Sequence, residues 1–187
     1  MSRRSREEFH VRAIQTTDRE VWEPLWRGYL NFYSRSQTDE LIGLTWQRLT
    51  KSGEIHGLLA FEPDGKALGL AHYLFHASTL TDRGSCYMQD LFVCTSARKR
   101  GVGRRLIAAV VDTAKSRGVA VVYWQTEEFN GTARRLYERI AKRSPFIRYQ
   151  IDLLHDDQIR RRTAVAPDGN LRSTLRTPLR PQPTRTR

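Results

Sequence analysis

Apolar residues along the chain switch between two periods, and each switch marks an element. Phe9, Val11 and Ala13 alternate with His10, Arg12 and Ile14, which predicts a first strand over Phe9–Gln15. Trp22, Leu25, Trp26, Tyr29, Leu30 and Tyr33 then recur at helical spacing, behind a capping box Thr17-Asp18-Arg19-Glu20. Pro24 requires that this helix begin close by, since proline fits only its first turn. Thr38 opens a second helix with Leu41, Ile42, Leu44, Trp46 and Leu49 on its buried side, ending at Gly53. Two strands, Ile55–Phe61 and Ala67–Phe75, flank the turn sequence Glu62-Pro63-Asp64-Gly65-Lys66.

The second half reads strand, helix, strand, helix, strand. Ser85–Cys94 is the first of these, with Leu91 and Val93 facing one way and Phe92 the other. A glycine-bearing stretch leads into a helix over Val102–Arg117, whose apolar side is Leu106, Ile107, Val110, Val111 and Ala114, with Gly118 as C-cap. Val119–Thr126 is nearly all apolar, as expected of a strand buried on both faces. Asn130–Lys142 forms the last helix, Pro145 ends it, and Phe146–Leu153 alternates as a final strand. Strand, helix, strand at this spacing implies a parallel pair with a right-handed crossover. The class is α/β (α+β), with a mixed central sheet and flanking helices.

The stretch Arg98-Lys99-Arg100-Gly101-Val102-Gly103-Arg104-Arg105 carries the first chemical signal. Glycines at a strand-to-helix corner let the backbone turn and leave its amides uncovered. The first amides of a helix have no internal acceptor, and the helix dipole adds positive potential there. Such a corner binds phosphate oxygens. Neither common nucleotide motif is present: GxxxxGK[ST] is absent, and Leu106 stands where GxGxxG needs its third glycine.

Arg98, Gly101 and Gly103 instead fit [QR]xxGx[GA], and Asn130, Ala133, Leu136 and Tyr137 fit Nx2Ax2LY. Together and in this order they resemble the two signatures of the GNAT N-acetyltransferase superfamily. The resemblance implies the GNAT fold over residues 9–159, with a splayed parallel strand pair, and acetyl-CoA as co-substrate. It implies that backbone at Leu91, Phe92 and Val93 holds the pantetheine arm. Arg98 and the amides of Arg100, Gly101, Val102, Gly103 and Arg104 would take the pyrophosphate. Asn130 would bind the pantetheine from the other wall, or serve as a helix N-cap, or both. Tyr137, two turns from Asn130 on one helix face, would give a proton to the departing thiolate. Asp90 is the candidate base, although Gln89 stands where polyamine acetyltransferases carry a glutamate; Glu127, Glu128 or a water are alternatives. Trp26, Tyr29 and Tyr33 with Asp39 and Glu40 are candidates for the acceptor pocket, while the spacing of His72 and His76 assigns them no part.

The segments Trp26–Tyr33, Asp90–Val93 and Tyr123–Thr126 are most similar to the fungal histone and polyamine acetyltransferase branch and its bacterial relatives. That similarity implies a primary-amine acceptor, such as a polyamine, an amino acid or a basic peptide, and a homodimer closed over a sheet edge. The competing reading is an inactive acyl-CoA-binding module whose basic tail grips nucleic acid or another anionic partner.

Composition adds limits. A chain of 187 residues with four tryptophans is long enough for one domain with a sizeable core. No apolar run reaches the length of a membrane span. Cys86 and Cys94 lie on one extended strand and cannot bridge, which together with their scarcity points to a reducing, cytoplasmic location. No Cys/His cluster has metal-ligand spacing. Residues 1–8 are expected to be a flexible N-terminus. From Arg160 onward eight arginines face the single acid Asp168, a net +7 of the chain's +12. With prolines and few large apolar residues, 160–187 is expected to be a disordered basic tail.

Overall fold

A computed structural model describes residues 9–151 and Leu153 of the chain. It divides into two units, Met1–Lys142 and Arg143–Arg187. The first carries all the regular elements named here. These are β1 (His10–Ala13), α1 (Arg19–Phe32), α2 (Asp39–Gln47), β2 (His56–Phe61), β3 (Ala67–His76), β4 (Ser85–Val93), α3 (Val102–Ser116), β5 (Val121–Trp124) and α4 (Gly131–Ile140). The strands form one sheet in sequence order. The first four are antiparallel and β4–β5 is parallel.

The sheet separates two apolar layers. On one face Trp22, Leu25, Trp26 and Leu30 of α1, with Ile42 and Trp46 of α2, pack on Leu59, Phe61 and Leu70. On the other, Val102, Leu106, Ile107, Val110 and Ala114 of α3 cover Leu58, Ala60, Ala71, Tyr73, Cys86 and Met88. Leu58/Ala60 and Leu59/Phe61 of β2 divide between the layers by strand alternation. Each large side chain removed from water contributes about 1.5–3 kcal/mol. Cys86 and Cys94 are free thiols, and burial pushes that of Cys86 up to about 11.

Several local expectations are corrected. Helix α1 begins after Asp18 rather than Thr17, and its N-cap makes no side-chain cap bond. Asp18 is instead engaged by Arg12, whose Nη1 and Nη2 donate at 2.6 and 2.8 Å, and by the Gln15 amide at 2.7 Å. A bidentate guanidinium outcompetes a helix amide for the same carboxylate. Pro24 lies inside α1, beyond its first turn. Thr38 does cap α2 and accepts from the Leu41 amide, and the helix closes in a π turn, Arg48–Ser52, against left-handed Gly53. Leu41 and Leu44 are exposed rather than buried. Strand β5 is shorter than expected and is not buried on both faces: Val122 and Trp124 join the α3 layer while Val121 and Tyr123 stay exposed.

The second unit departs most. Residues 143–151 contain no strand, although their alternation suits one, and Phe146, Ile147, Tyr149 and Ile151 are exposed. A strand exists only through a neighbour's ladder of backbone hydrogen bonds, and among the described residues the sheet comprises β1–β5. The expected flexible N-terminus, 1–8, and the basic tail, 160–187, lie outside the described residues.

The Arg12 pair holds the Asp18 carboxyl below its ordinary value, chiefly through the Arg12 hydrogen bonds. Its stabilisation is therefore complete above the unfolded value, about 3.9, and is lost as pH falls through the lower folded value. Asp18→Asn should cost about 1–3 kcal/mol at neutral pH by urea denaturation. The gap to the parent should narrow as pH falls through the lowered folded value of Asp18.

Candidate active site

Strand β4 outruns its parallel neighbour. Pairing with β5 covers Ser85↔Val121 to Met88↔Trp124 and stops, while β4 continues to Val93 against β3 alone. The strands thus part where the resemblance implies, and the backbone of Leu91, Phe92 and Val93 has no partner strand on the β5 side. At the point of parting, β4 bulges. His72 pairs with Asp90 but Tyr73 pairs with Met88, so Gln89 has no residue opposite. The extra residue reverses side-chain parity. Cys86 and Met88 enter the α3 layer, whereas Asp90 and Phe92 face α1.

After β4 a 3-10 turn, Thr95–Ala97, leads to the glycine loop. Lys99 and Gly101 hold left-handed φ of 64° and 91°. Gly101 is the N-cap of α3 and supplies no side-chain cap. The first bond of the helix runs from the Arg105 amide to the Gly101 carbonyl, so the amides of Val102, Gly103 and Arg104 precede the intrahelical ladder. A side chain at Gly101 would meet open space, so its φ alone demands glycine. Arg98 Nε donates to the Val93 carbonyl at 3.3 Å and its guanidinium lies over Phe32. Arg100 is tied to Glu62 at 2.7 Å, while Arg104 is exposed.

On the other wall Asn130 caps α4, its Oδ1 accepting from the Ala133 amide at 3.3 Å. Tyr137 packs edge-on to Trp124, 5.4 Å between centroids. Burial is the main cause that raises its hydroxyl pKa, and the nearby Tyr33 adds to it. Thr126, just past β5, has a buried hydroxyl with no protein partner. Bare amides, the parted strand and this orphan hydroxyl are what a pantetheine diphosphate requires, so the residues present fit acetyl-CoA.

Asp90 lies at the centre, almost fully buried. Its Oδ2 accepts from His72 Nδ1 at 3.0 Å, and His72 Nε2 accepts from the Trp22 indole N–H at 2.9 Å. Tyr29 lies on the same side. Its hydroxyl pKa is raised first by burial, then by the charge of Asp90. Tyr29 also contacts Tyr33, 5.1 Å between ring centroids.

Trp26 borders this cluster as core, stacked on Tyr29 at 5.0 Å and tilted against His72 at 5.2 Å, with its indole donating to Gln37 at 3.0 Å. The other candidates fall away from it. Asp39 is exposed and pairs with Arg27, and Glu40 is exposed. Glu127 and Glu128 are exposed on the loop before α4. His76 reaches Tyr123 instead. Trp22 and His72 were not assigned from the sequence. The only advance signal was a histidine amid the apolar run of β3; the bulge that brings Asp90 to it leaves no mark in residue spacing. An open groove of about 520 Å³ runs between α3, β5 and the end of α4, but it contains none of the acceptor-side residues.

Residues 18–141 match the model of the acetyltransferase (GNAT) family. The chain is 36% identical over 142 residues to the D-amino-acid N-acetyltransferase HPA3 of Saccharomyces cerevisiae, covering 75% of this chain and 88% of that protein. It is 30% identical over 131 residues to the uncharacterized N-acetyltransferase YhfO of Bacillus subtilis, covering 70% and 87%. Its fold matches the ribosomal-protein-alanine N-acetyltransferase of Brucella melitensis biovar Abortus 2308 at TM-score 0.69 and 19% identity, over 78% and 100% of the chains. It matches the aminoglycoside N-acetyltransferase AAC(6')-Iy, solved with CoA, at 0.68 and 18%, over 78% and 95%. The chain belongs to the GNAT acetyltransferase family, a family of enzymes that use acetyl-CoA.

Gly101→Val forces a β-branched side chain into a left-handed backbone. It should lower stability by about 1–2 kcal/mol in thermal or urea unfolding, without change in the strand signal by circular dichroism.

Proposed function

We propose that the chain transfers acetyl from acetyl-CoA to a primary amine by direct attack, with Asp90 as proton acceptor and Tyr137 as proton donor. The observation that carries this reading is a buried Asp90 at the place where β4 loses its β5 neighbour, with the glycine corner of α3 beyond the end of the same strand. Acetyl-CoA supplies an activated acetyl thioester. The amides of Gly101, Val102, Gly103 and Arg104, with Arg98, anchor the diphosphate. Arg100 contributes its amide more than its side chain, which is occupied by Glu62. Backbone of Leu91, Phe92 and Val93 pairs with the pantetheine, and Asn130 borders it from α4.

A protonated amine is no nucleophile, so a base must take its proton. Asp90 is the one of the three candidate carboxylates, with Glu127 and Glu128, that is buried at the parting of the strands. As the carbon–nitrogen bond forms and the carbon–sulfur bond breaks, Tyr137 gives its hydroxyl proton to the departing sulfur. The raised pKa keeps that hydroxyl protonated until the thiolate is there to take the proton. Among acceptors, the name of the yeast relative puts free amino acids first; polyamines and basic peptides fit the same chemistry.

A panel of amines scored for release of CoA thiol tests the reading. The expected result is turnover with at least one small primary amine; binding of acetyl-CoA without turnover on the whole panel supports an inactive binding module instead. Tyr137→Phe should lower kcat about 100-fold or more and leave the acetyl-CoA Kd within about threefold, by calorimetry. Arg98→Glu with Arg104→Glu should do the reverse, weakening acetyl-CoA tenfold or more, with a smaller loss at high salt.

A further inference from the structure

The buried chain Trp22–His72–Asp90 is more than the catalytic reading needs, and hydrogen-bond direction fixes its chemistry. An indole N–H only donates. With Trp22 Nε1 at 2.9 Å, His72 Nε2 must present a lone pair. The imidazole therefore carries its single proton on Nδ1 and gives that hydrogen bond to Asp90 Oδ2 at 3.0 Å. An imidazolium would need hydrogens on both nitrogens, and the second would collide with the indole hydrogen. Among the described residues no lysine or arginine lies within ion-pair distance of Asp90. An almost fully buried carboxylate is thus held by a neutral donor without a counter-ion, an arrangement that is costly unless a cation arrives.

We propose that Trp22 and His72 are positioning residues which lock the neutral Nδ1–H form of the imidazole, so that Asp90 keeps an uncompensated negative charge whose counter-ion is the ammonium of the acceptor. The proposal rests on the acetyltransferase reading and adds to it the class of acceptor, an amine that arrives protonated. Were His72 free to take a second proton, it would form an internal ion pair with Asp90 and compete with the substrate for that charge. Trp22, fully buried and stacked at 6.2 Å on Trp26, has no freedom to withdraw its N–H. The bulge at Gln89 is what sets Asp90 opposite His72.

Two measurements decide it. In the unliganded protein, nitrogen-15 NMR of His72 at pH 7 should show a protonated Nδ1 and an unprotonated Nε2; the opposite tautomer or an imidazolium overturns the proposal. In kinetics with a cationic amine, His72→Leu should lower kcat/KM for the amine at least 30-fold, while the acetyl-CoA Kd stays within threefold. His72→Asn, which keeps an N–H directed at Asp90, should recover at least tenfold of that loss. A folded His72→Leu protein with unchanged kcat/KM, or His72→Asn no better than His72→Leu, overturns the positioning role while the acetyltransferase reading stands. Absence of turnover by the wild-type protein with every amine overturns that reading and the acceptor role of Asp90 with it.

Discussion

Strand β4 is paired on both sides up to Met88 and on one side after it, and the site depends on that change. A fully paired strand has no backbone groups to offer a ligand. One that loses a neighbour within the sheet, beside a helix N-terminus, offers a row of amides and carbonyls continuous with the bare amides at α3. The bulge at Gln89 occurs at the same place and turns Asp90 from the α3 layer toward α1. One backbone irregularity thus separates the two walls, with the groups proposed to bind the diphosphate on the α3 side and those proposed to bind the acceptor on the α1 side.

The aromatic residues of α1 divide between these tasks. Trp22 and Trp26 are core and hold the helix to the sheet, and Gly28 lets it approach so closely that a Cβ there would lie 2.8 Å from the Phe92 ring. Tyr29 and Tyr33, one and two turns further on, contact each other at 5.1 Å, with Tyr29 on the side of Asp90. Close packing at the first positions fixes where the later hydroxyls fall.

Much of this was legible in the residues because local rules produced it. Thr38 and Asn130 cap their helices as their types predict, and Gly53, Gly101 and Gly118 hold the positive φ that glycine allows. Helices α1 and α3 follow their apolar periodicity, α2 does so at Ile42 and Trp46 but not at Leu41 and Leu44, and the order of elements holds to the end of α4. What was not legible depended on contacts distant in sequence. Asp18 looked like part of a capping box until Arg12 reached it. His72 looked incidental because Trp22, fifty residues away, and Asp90, eighteen away, meet it only through helix packing and a bulge. Asp39 and Glu40 looked like pocket acids because charge at a helix start suits both capping and recognition. The alternation of Phe146–Leu153 suits a strand, yet none forms over the described residues to 151, because no sequence pattern supplies the partner a strand needs.

The wound backbone at Lys99 and Gly101 has an energetic meaning. Glycine takes the left-handed conformation without steric cost, whereas Lys99 carries a Cβ and holds it against a penalty of about 1–2 kcal/mol. The chain keeps a lysine where glycine would relieve that strain, and on the proposed reading the return is one more cation at the corner, adding to a field of arginines that raises the rate of encounter with an anion.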